Sequence, residues 1–177
     1  MKSSLTIRNA NVVLPRIIKK TDVSVKDGEI NAIGSQIPNV GEVIDAEGLF
    51  LIPGIIDPQV HFREPGADHK EDLHSGSCAA AAGGVTSFLD MPNNSPPITT
   101  RKRMAEKKQL AAEKSVVNYG FFIGATPDNL EEINSVENVC GIKIFMGSST
   151  GDLLVDNPDT LEIIFANGTK LIAVHAE

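Results

Sequence analysis

From Gly54 onward, short and almost unbroken apolar runs alternate with stretches of helical composition. Strands that are apolar on both faces are typical of parallel sheets covered by helices, and βα units repeat at about 30 residues. The runs follow that repeat, so residues 54–177 are predicted to form parallel βα units. The five runs are IIDPQVHF, VTSFLDM, VVNYGFFIGA, GIKIFMG and KLIAVHA.

Four stretches that follow these runs or precede the last one carry helix signals. Thr126 and either Asp156 or Asn157 are suitable N-cap residues, with Pro127 and Pro158 at early helical positions. The stretches are EDLHSGSCAAAAGG, TTRKRMAEKKQLAAEKS, TPDNLEEINSVE and NPDTLEIIFANG.

The number of predicted strands indicates which α/β fold is formed. A closed (β/α)₈ barrel needs eight strands and typically about 250 residues, whereas this chain has 177 residues and five apolar runs. We therefore expect residues 54–177 to form the first part of a TIM-type barrel, about five of its eight strands. An open doubly wound sheet is the alternative, because five strands can complete one. Polar residues at the strand ends favour the barrel.

Residues 1–53 lack helix signals and contain short alternating runs, two of them separated by an Asp27-Gly28 hairpin turn. They are predicted to form a small β-sandwich-like N-terminal domain, and Pro53-Gly54 is the natural boundary. The fold class expected for the chain is thus α/β, with a small β unit before the partial barrel.

Composition and charge exclude several classes of partner. The net charge of -7 argues against nucleic acid, and no apolar run reaches the roughly 18–20 residues that cross a bilayer. Met1–Ala10 has no signal-peptide pattern, so a cytoplasmic protein is expected. Cys78 and Cys140 match no ligand spacing and are predicted to be buried, reduced thiols.

Polar side chains stand at the predicted C-terminal ends of the strands, where βα barrels carry their functional groups. Alternation would place residues 57, 59 and 61 on one face, although Pro58 predicts irregular pairing there. Two histidines at the same end of different strands favour a metal site over a structural role. The strand-end residues are Asp57, Gln59, His61, Arg63, Asp90, Asn93, Lys143, His175 and Glu177.

Lys143 is the most diagnostic of these residues because it lies between two isoleucines in GIKIFMG. Burial of an uncompensated ammonium would drive the amine neutral. A neutral amine can add CO₂, and the resulting carbamate can bridge two cations. Alternatively, Lys143 reaches solvent at the strand mouth or pairs with Glu177. The sequence leaves both interpretations open.

Three other segments have weaker signals. GSSTGD lacks the signature of a phosphate loop and is predicted to be a βα turn that lines the pocket. HKEDLH has two histidines five residues apart, the wrong interval for one helical face, so solvated surface is expected. The basic run RKRMAEKK is predicted to be an exposed helix face.

Four motifs follow one another along the whole chain. The segment PGIIDPQVHFREPG matches the pattern PG-x-x-D-x-H-x-H-x-R-x-P-G everywhere except at Gln59. It is followed by GVT with MPN, then GIKIFMGSSTG, then VHAE. In this order they resemble the cyclic-amide hydrolases of the amidohydrolase superfamily, and the dihydroorotases most closely. The split β domain that precedes the barrel in that family also matches residues 1–53.

The resemblance implies a role for each matching residue. His61 would bind one metal ion, His175 a second, and Lys143, as a carbamate, would bridge the two and serve as the catalytic residue. Zn²⁺ is the expected ion, one or two per site, and a bridging hydroxide would attack the ring amide carbonyl. Arg63 and Asn93 would bind the substrate carboxylate. The implied reaction is the reversible interconversion of N-carbamoyl-L-aspartate and (S)-dihydroorotate in pyrimidine biosynthesis.

Gln59 departs from the family pattern, since it stands where a metal-binding histidine is expected. Its neutral amide oxygen suits zinc less well than an imidazole, so the outer metal site should be weakened. The family also needs a histidine on the sixth strand and an aspartate on the eighth, which would come after Glu177. The 177-residue chain alone is therefore expected to be inactive.

Two alternative functions remain open. An allantoinase or hydantoinase is the alternative within the same class, although Arg63 and Asn93 favour a substrate that carries a carboxylate. A non-catalytic dihydroorotase-like subunit, bound to aspartate carbamoyltransferase, is compatible with Gln59. The expected partners are thus a small-molecule substrate and either further copies of the chain or a transcarbamoylase.

Overall fold

The computed structural model describes residues 4–147 and 153–176. The chain divides into two compact units, Met1–Pro53 and Gly54–Glu177. Most of the GSSTGD segment and Glu177 lie outside the described residues, so the predictions of a pocket-lining turn and of a Lys143–Glu177 pair lie outside them as well. No helix in the described part of the chain is long and apolar enough to cross a membrane.

The first unit is built on one mixed sheet with the strand order β3-β2-β1-β4, and β5 also pairs with β1. The predicted turn at Asp27-Gly28 separates β2 from β3, and both of its residues have positive φ. Ala10, Val12 and Val23 form the core on one side of the sheet together with Ala46. The strands are β1 (Leu5–Leu14), β2 (Ile17–Lys26), β3 (Glu29–Gly34), β4 (Glu42–Asp45) and β5 (Phe50–Leu51).

The second unit has a five-stranded parallel sheet whose strand order, β10-β9-β8-β7-β6, follows the chain without reversal. A doubly wound sheet reverses its strand order at a switch point, whereas a barrel does not. The predicted α/β class and partial barrel are therefore confirmed. The elements are β6 (Ile55–Val60), α1 (Leu73–Ala82), β7 (Val85–Asp90), α2 (Arg101–Lys114), β8 (Asn118–Gly124), α3 (Leu130–Ser135), β9 (Gly141–Phe145), α4 (Pro158–Asn167) and β10 (Ile172–His175).

The helix starts follow their capping residues. Asn157 caps α4 by accepting a hydrogen bond from the Thr160 N–H, and Pro158 is the first helical residue, as predicted. Helix α3 begins at Leu130, so the N-cap predicted at Thr126 is wrong. The cause is Asn129, whose buried side chain accepts a hydrogen bond from the Thr126 N–H and donates to the Gly124 carbonyl.

The two faces of β9 have different environments. Ile142 and Ile144 are fully buried in the core formed between the sheet and its helices, with Ile133 and Ile164. Lys143, between them, therefore points to the opposite face, which is the interior of the curled sheet. The strand thus fixes the lysine in place through its isoleucine neighbours.

The burial of Cys78 differs from the prediction. Cys78 is exposed on α1, whereas Cys140 is partly buried. The buried residues of α1 are Leu73, Gly76 and Ser77, and Cys78 falls on the other side of the helix. The prediction of a buried thiol is therefore wrong for Cys78.

Gly66 has little space around it in the described part of the second unit. Its φ is +108°, and a Cβ built on it would lie 1.9 Å from the Ser95 carbonyl oxygen. Gly66→Ala is expected to lower the free energy of unfolding by about 1–3 kcal/mol from backbone strain alone, and further through this clash. Urea unfolding followed by circular dichroism measures the loss.

Gly84→Ala is the matched control, because Gly84 has a φ of +81° and no atom within 4 Å of the added Cβ. It retains the backbone strain without the clash, so it should destabilise the protein less than Gly66→Ala. Equal losses in the two variants would contradict a role for the Ser95 contact.

Candidate functional site

The candidate site lies at the C-terminal ends of the parallel strands. His61 directly follows β6, Asn93 follows β7, and Lys143 and His175 lie in β9 and β10. The carboxyl ends of parallel strands lie on the same side of the sheet, so all four residues are directed toward that side. The strand order therefore places these four residues on the side of the sheet where the strands end.

His61 and Asn93 contact each other directly. The Nδ1 atom of His61 lies 2.7 Å from Oδ1 of Asn93. An amide oxygen accepts hydrogen bonds, so Nδ1 carries the proton and donates it. The lone pair is then left on Nε2, which is the form of a neutral histidine that binds metal ions. Asn93 therefore orients His61, in addition to its predicted contact with substrate.

Lys143 and His175 lie on neighbouring strands. The register pairs Phe145 with His175, and the two rings are 6.1 Å apart. Lys143 Nζ lies 5.2 Å from the centroid of the Phe145 ring. The in-register neighbours of Lys143 are Gly124 on β8 and Ala173 on β10. Both are small, and so their side chains leave space next to the amine.

The Lys143 amine is buried and has no counter-charge in the described ranges. The residue is only 3% exposed, and burial lowers the pKa of its amine. Within the described ranges the ammonium has no hydrogen-bond or ion-pair partner to oppose this shift. The interpretation in which Lys143 reaches solvent does not agree with this burial.

Strand β6 is irregular next to the site. Its register with β7 shifts between Asp57 and Val60, as predicted from Pro58. The Gln59 N–H donates to Oδ1 of Asp57, and the Gln59 side chain is exposed. The extra residue interrupts the regular alternation, and the expectation that residues 57, 59 and 61 share one face stays a prediction. The Arg63 side chain is also exposed.

The structure brings His61 into contact with Asn93 and places Lys143 and His175 on neighbouring strands. Strands β6 and β10 are the two edges of the sheet, and convergence of His61, Lys143 and His175 on one ion stays a prediction. No three His, Cys, Asp or Glu residues in the described ranges are close enough to hold a metal ion. Two imidazoles and a Lys143 carbamate would nonetheless form a donor set that suits zinc.

Sequence reasoning missed a buried ion pair behind the site. Lys107 Nζ on α2 lies 2.7 Å from Oδ2 of Asp90 at the end of β7. Lys107 is 1% exposed and Asp90 is 0% exposed. The prediction that RKRMAEKK is an exposed helix face is therefore wrong at Lys107, and Asp90 faces α2 instead of the sheet interior. Burial raises the pKa of Asp90 and lowers that of Lys107, while each charge opposes the shift of the other.

A second lysine of α2 also reaches a strand-end loop. Lys114 forms an ion pair with the buried Glu64, which follows Arg63 in the loop after β6. The other carboxylate oxygen of Glu64 accepts a hydrogen bond from the Leu73 N–H at the start of α1. Helix α2 thus supports the loops at the ends of two strands.

Comparison with protein families identifies the fold. The amidohydrolase family profile matches residues 50–168, which is well over half of the chain. The chain belongs to the amidohydrolase family. Its matched region contains Gln59, His61, Arg63, Asn93 and Lys143, whereas His175 lies beyond it.

Relatives of the chain carry different enzyme names. An allantoinase from Deinococcus radiodurans is 36% identical over 188 residues and aligns with 100% of this chain and 41% of its own length. A dihydroorotase from Methanosarcina acetivorans is 38% identical over 180 residues and aligns with 97% of this chain and 38% of its own length. The chain therefore spans about two fifths of the length of these relatives.

Solved structures agree with the architecture of this amidohydrolase. The L-hydantoinase from Arthrobacter aurescens superposes with a TM-score of 0.91 at 31% identity, over 100% of this chain and 41% of that one. A dihydropyrimidinase from Brevibacillus agri gives a TM-score of 0.83 at 32% identity, over 98% of this chain and 40% of that one. These similarities identify the family without selecting one substrate.

Proposed function

We propose that this amidohydrolase belongs to an enzyme that opens a cyclic amide with the aid of a divalent metal ion. The observation that carries the proposal is the buried amine of Lys143, with small in-register neighbours and His175 on the next strand. The names of the relatives support it, because dihydroorotases, allantoinases and hydantoinases all act on cyclic amides.

His61, through Nε2, Lys143 as a carbamate and His175 would hold one or two zinc ions. Bound zinc would polarise the ring carbonyl and supply a water whose pKa is lowered to about 7. Asn93 holds the His61 ring with its lone pair on Nε2, and Phe145 covers the Lys143 amine. Gln59 would contribute a neutral oxygen, and therefore a weaker contact than the histidine of the family pattern.

Within this class we favour (S)-dihydroorotate as the substrate. Its ring carries a carboxylate, and a guanidinium binds a carboxylate with two parallel hydrogen bonds. Arg63 is exposed two residues after His61 and can approach such a group. Asn93 already hydrogen-bonds to His61, so Arg63 is the principal candidate for carboxylate recognition. Allantoin is the second candidate, because relatives of similar identity are named allantoinases.

The test compares ring opening of dihydroorotate and allantoin by the zinc-loaded enzyme to which this chain belongs, with Arg63→Gln beside the wild type. We expect turnover of dihydroorotate that falls in Arg63→Gln through a higher KM. Turnover of allantoin alone, or an equal effect of Arg63→Gln on both substrates, would overturn the dihydroorotate assignment. Turnover of neither substrate by metal-loaded protein would count against the proposed function.

The carbamate on Lys143 has a test of its own. Protein equilibrated with ¹³C-bicarbonate is expected to show a carbamate signal by ¹³C NMR, because burial lowers the pKa of the Lys143 amine and its in-register neighbours are small. Lys143→Met should abolish this signal. Lys108→Met, which removes an amine that hydrogen-bonds to the Glu137 carbonyl, should leave it unchanged. A signal that persists in Lys143→Met would assign the carbamate to another amine.

A further inference from the structure

Two loops carry the groups of the candidate site on the β6 side of the sheet. The loop after β6 contains His61 and Arg63, and the loop after β7 contains Asn93. The hydrogen bond between His61 and Asn93 crosses from one loop to the other. Its geometry therefore depends on how the two loops are held relative to each other.

Asn94 links these loops directly. Its Nδ2 atom donates hydrogen bonds to the carbonyls of Phe62 and Glu64, at 3.1 and 2.9 Å. Phe62 and Glu64 flank Arg63, and Phe62 follows His61. A single side chain from the second loop therefore fixes the backbone on both sides of Arg63.

Lys107 holds Asn94 in this orientation. Its Nζ atom donates to Oδ1 of Asn94 at 2.7 Å and to the Met91 carbonyl at 3.3 Å. Because Oδ1 accepts from the ammonium, the amide group of Asn94 must present Nδ2 to the first loop. The same ammonium lies 4.9 Å from the centroid of the Phe121 ring.

Asp90 completes the connection. Its Oδ2 atom pairs with Lys107, and its Oδ1 atom accepts a hydrogen bond from the Phe62 N–H at 3.0 Å. Both polar groups of the Phe62 backbone are thus bound, the N–H by Asp90 and the carbonyl by Asn94. Each of these partners is in contact with the one ammonium of Lys107.

We propose that Lys107 is a positioning residue of the candidate site: through Asp90 and Asn94 it sets the position of His61 against Asn93. It thereby sets which ring nitrogen His61 offers to a divalent cation. Lys107 binds Asp90, Asn94 and Met91, and it acts on the site through the two loops. The inference rests on the proposed function for the role of His61 as a ligand, but the loop geometry on which it depends is independent of that function.

The principal variant is Asp90→Asn/Lys107→Met, which removes both buried charges together. Asn at position 90 keeps an acceptor for the Phe62 N–H. Met at position 107 removes the hydrogen bonds that Lys107 donates to Asn94 and Met91. Replacement of both partners of a buried ion pair is tolerated far better than replacement of one, so this variant is expected to fold. Lys108→Met is the matched control, because Lys108 is the adjacent lysine of α2 and hydrogen-bonds to Glu137 in another loop.

The first measurement is the tautomer of His61 in metal-free protein, from long-range ¹H–¹⁵N spectra of the four histidines. His61→Gln assigns the signal. Wild type and Lys108→Met are expected to carry the proton on Nδ1, and the double variant a mixture of the two tautomers. An unchanged Nδ1–H tautomer in a folded double variant would overturn the inference.

The second measurement is the affinity for Zn²⁺, determined by competition with a chromophoric chelator. Loss of a partner that orients a metal-binding histidine weakens metal binding by about 10- to 100-fold. We expect a loss of that size in the double variant and none in Lys108→Met, and equal affinities in all three proteins would contradict the inference. The tautomer is recorded without metal, so it decides the inference even when an absence of ring opening counts against the proposed function.

Discussion

Lys107→Met is expected to lower the free energy of unfolding by about 3–5 kcal/mol, the loss typical when one partner of a buried ion pair is removed. The substitution leaves the Asp90 carboxylate fully buried without its counter-charge. It also removes the hydrogen bonds to Asn94 and Met91. Methionine keeps most of the length of the side chain, so lost packing contributes little. Equilibrium urea unfolding of the single variant measures the effect.

Two further proteins complete this test. Lys108→Met should change the free energy of unfolding by no more than about 0.5 kcal/mol, as surface substitutions usually do. Asp90→Asn/Lys107→Met should be more stable than Lys107→Met, because it buries no unpaired charge. If Lys107→Met and Lys108→Met unfolded at the same urea concentration, the ion pair between Lys107 and Asp90 would not stabilise the fold as expected.

Gln59→His is expected to tighten zinc binding by about tenfold or more, since even a residue that only orients a ligand changes affinity by about 10- to 100-fold. The imidazole at position 59 would stand two residues before His61, as in the family pattern. Imidazole nitrogen suits zinc better than an amide oxygen does. Metal content after dialysis and chelator competition give the affinities of the two proteins.

Gln109→His provides the control for this gain. Gln109 is an exposed glutamine on α2 that hydrogen-bonds to Glu113, so a histidine there adds an imidazole away from the strand ends. Its zinc affinity should equal that of the wild type. Equal affinities of Gln59→His and wild type would indicate that residue 59 does not face the metal, and would favour the non-catalytic subunit.

The order of strands and helices could be predicted because each buried parallel strand is a short apolar run. The boundary of α3 could not, because it depends on Asn129. Local sequence favours Thr126 as the N-cap, because Pro127 follows it at the first helical position. The hydrogen bonds of Asn129 to Thr126 and to the carbonyls of Gly124 and Thr99 decide the start, and two of these partners lie outside the TPDN segment.

The strand-end position of His61, Asn93, Lys143 and His175 also followed from the sequence, through the ends of the apolar runs. Lys107 did not, because a basic run is typical of a solvated helix face. One signal was present: Lys107 lies three residues after Met104 and four before Ala111, and these three are the buried residues of α2. That spacing places a charged residue on the apolar face of the helix, where it needs a partner.

Two lysines of α2, seven positions apart, contact the two strand-end loops. Lys107 binds Asn94 in the loop after β7, and Lys114 binds Glu64 in the loop after β6. Each residue of an α-helix turns by about 100°, so one residue inserted or deleted between them would rotate Lys114 away from Glu64 while Lys107 stayed in place. Homologues that keep both anchors should therefore have no gaps within this segment. Length changes should instead collect before Arg101 or after Lys114, where neither anchor would move relative to the other.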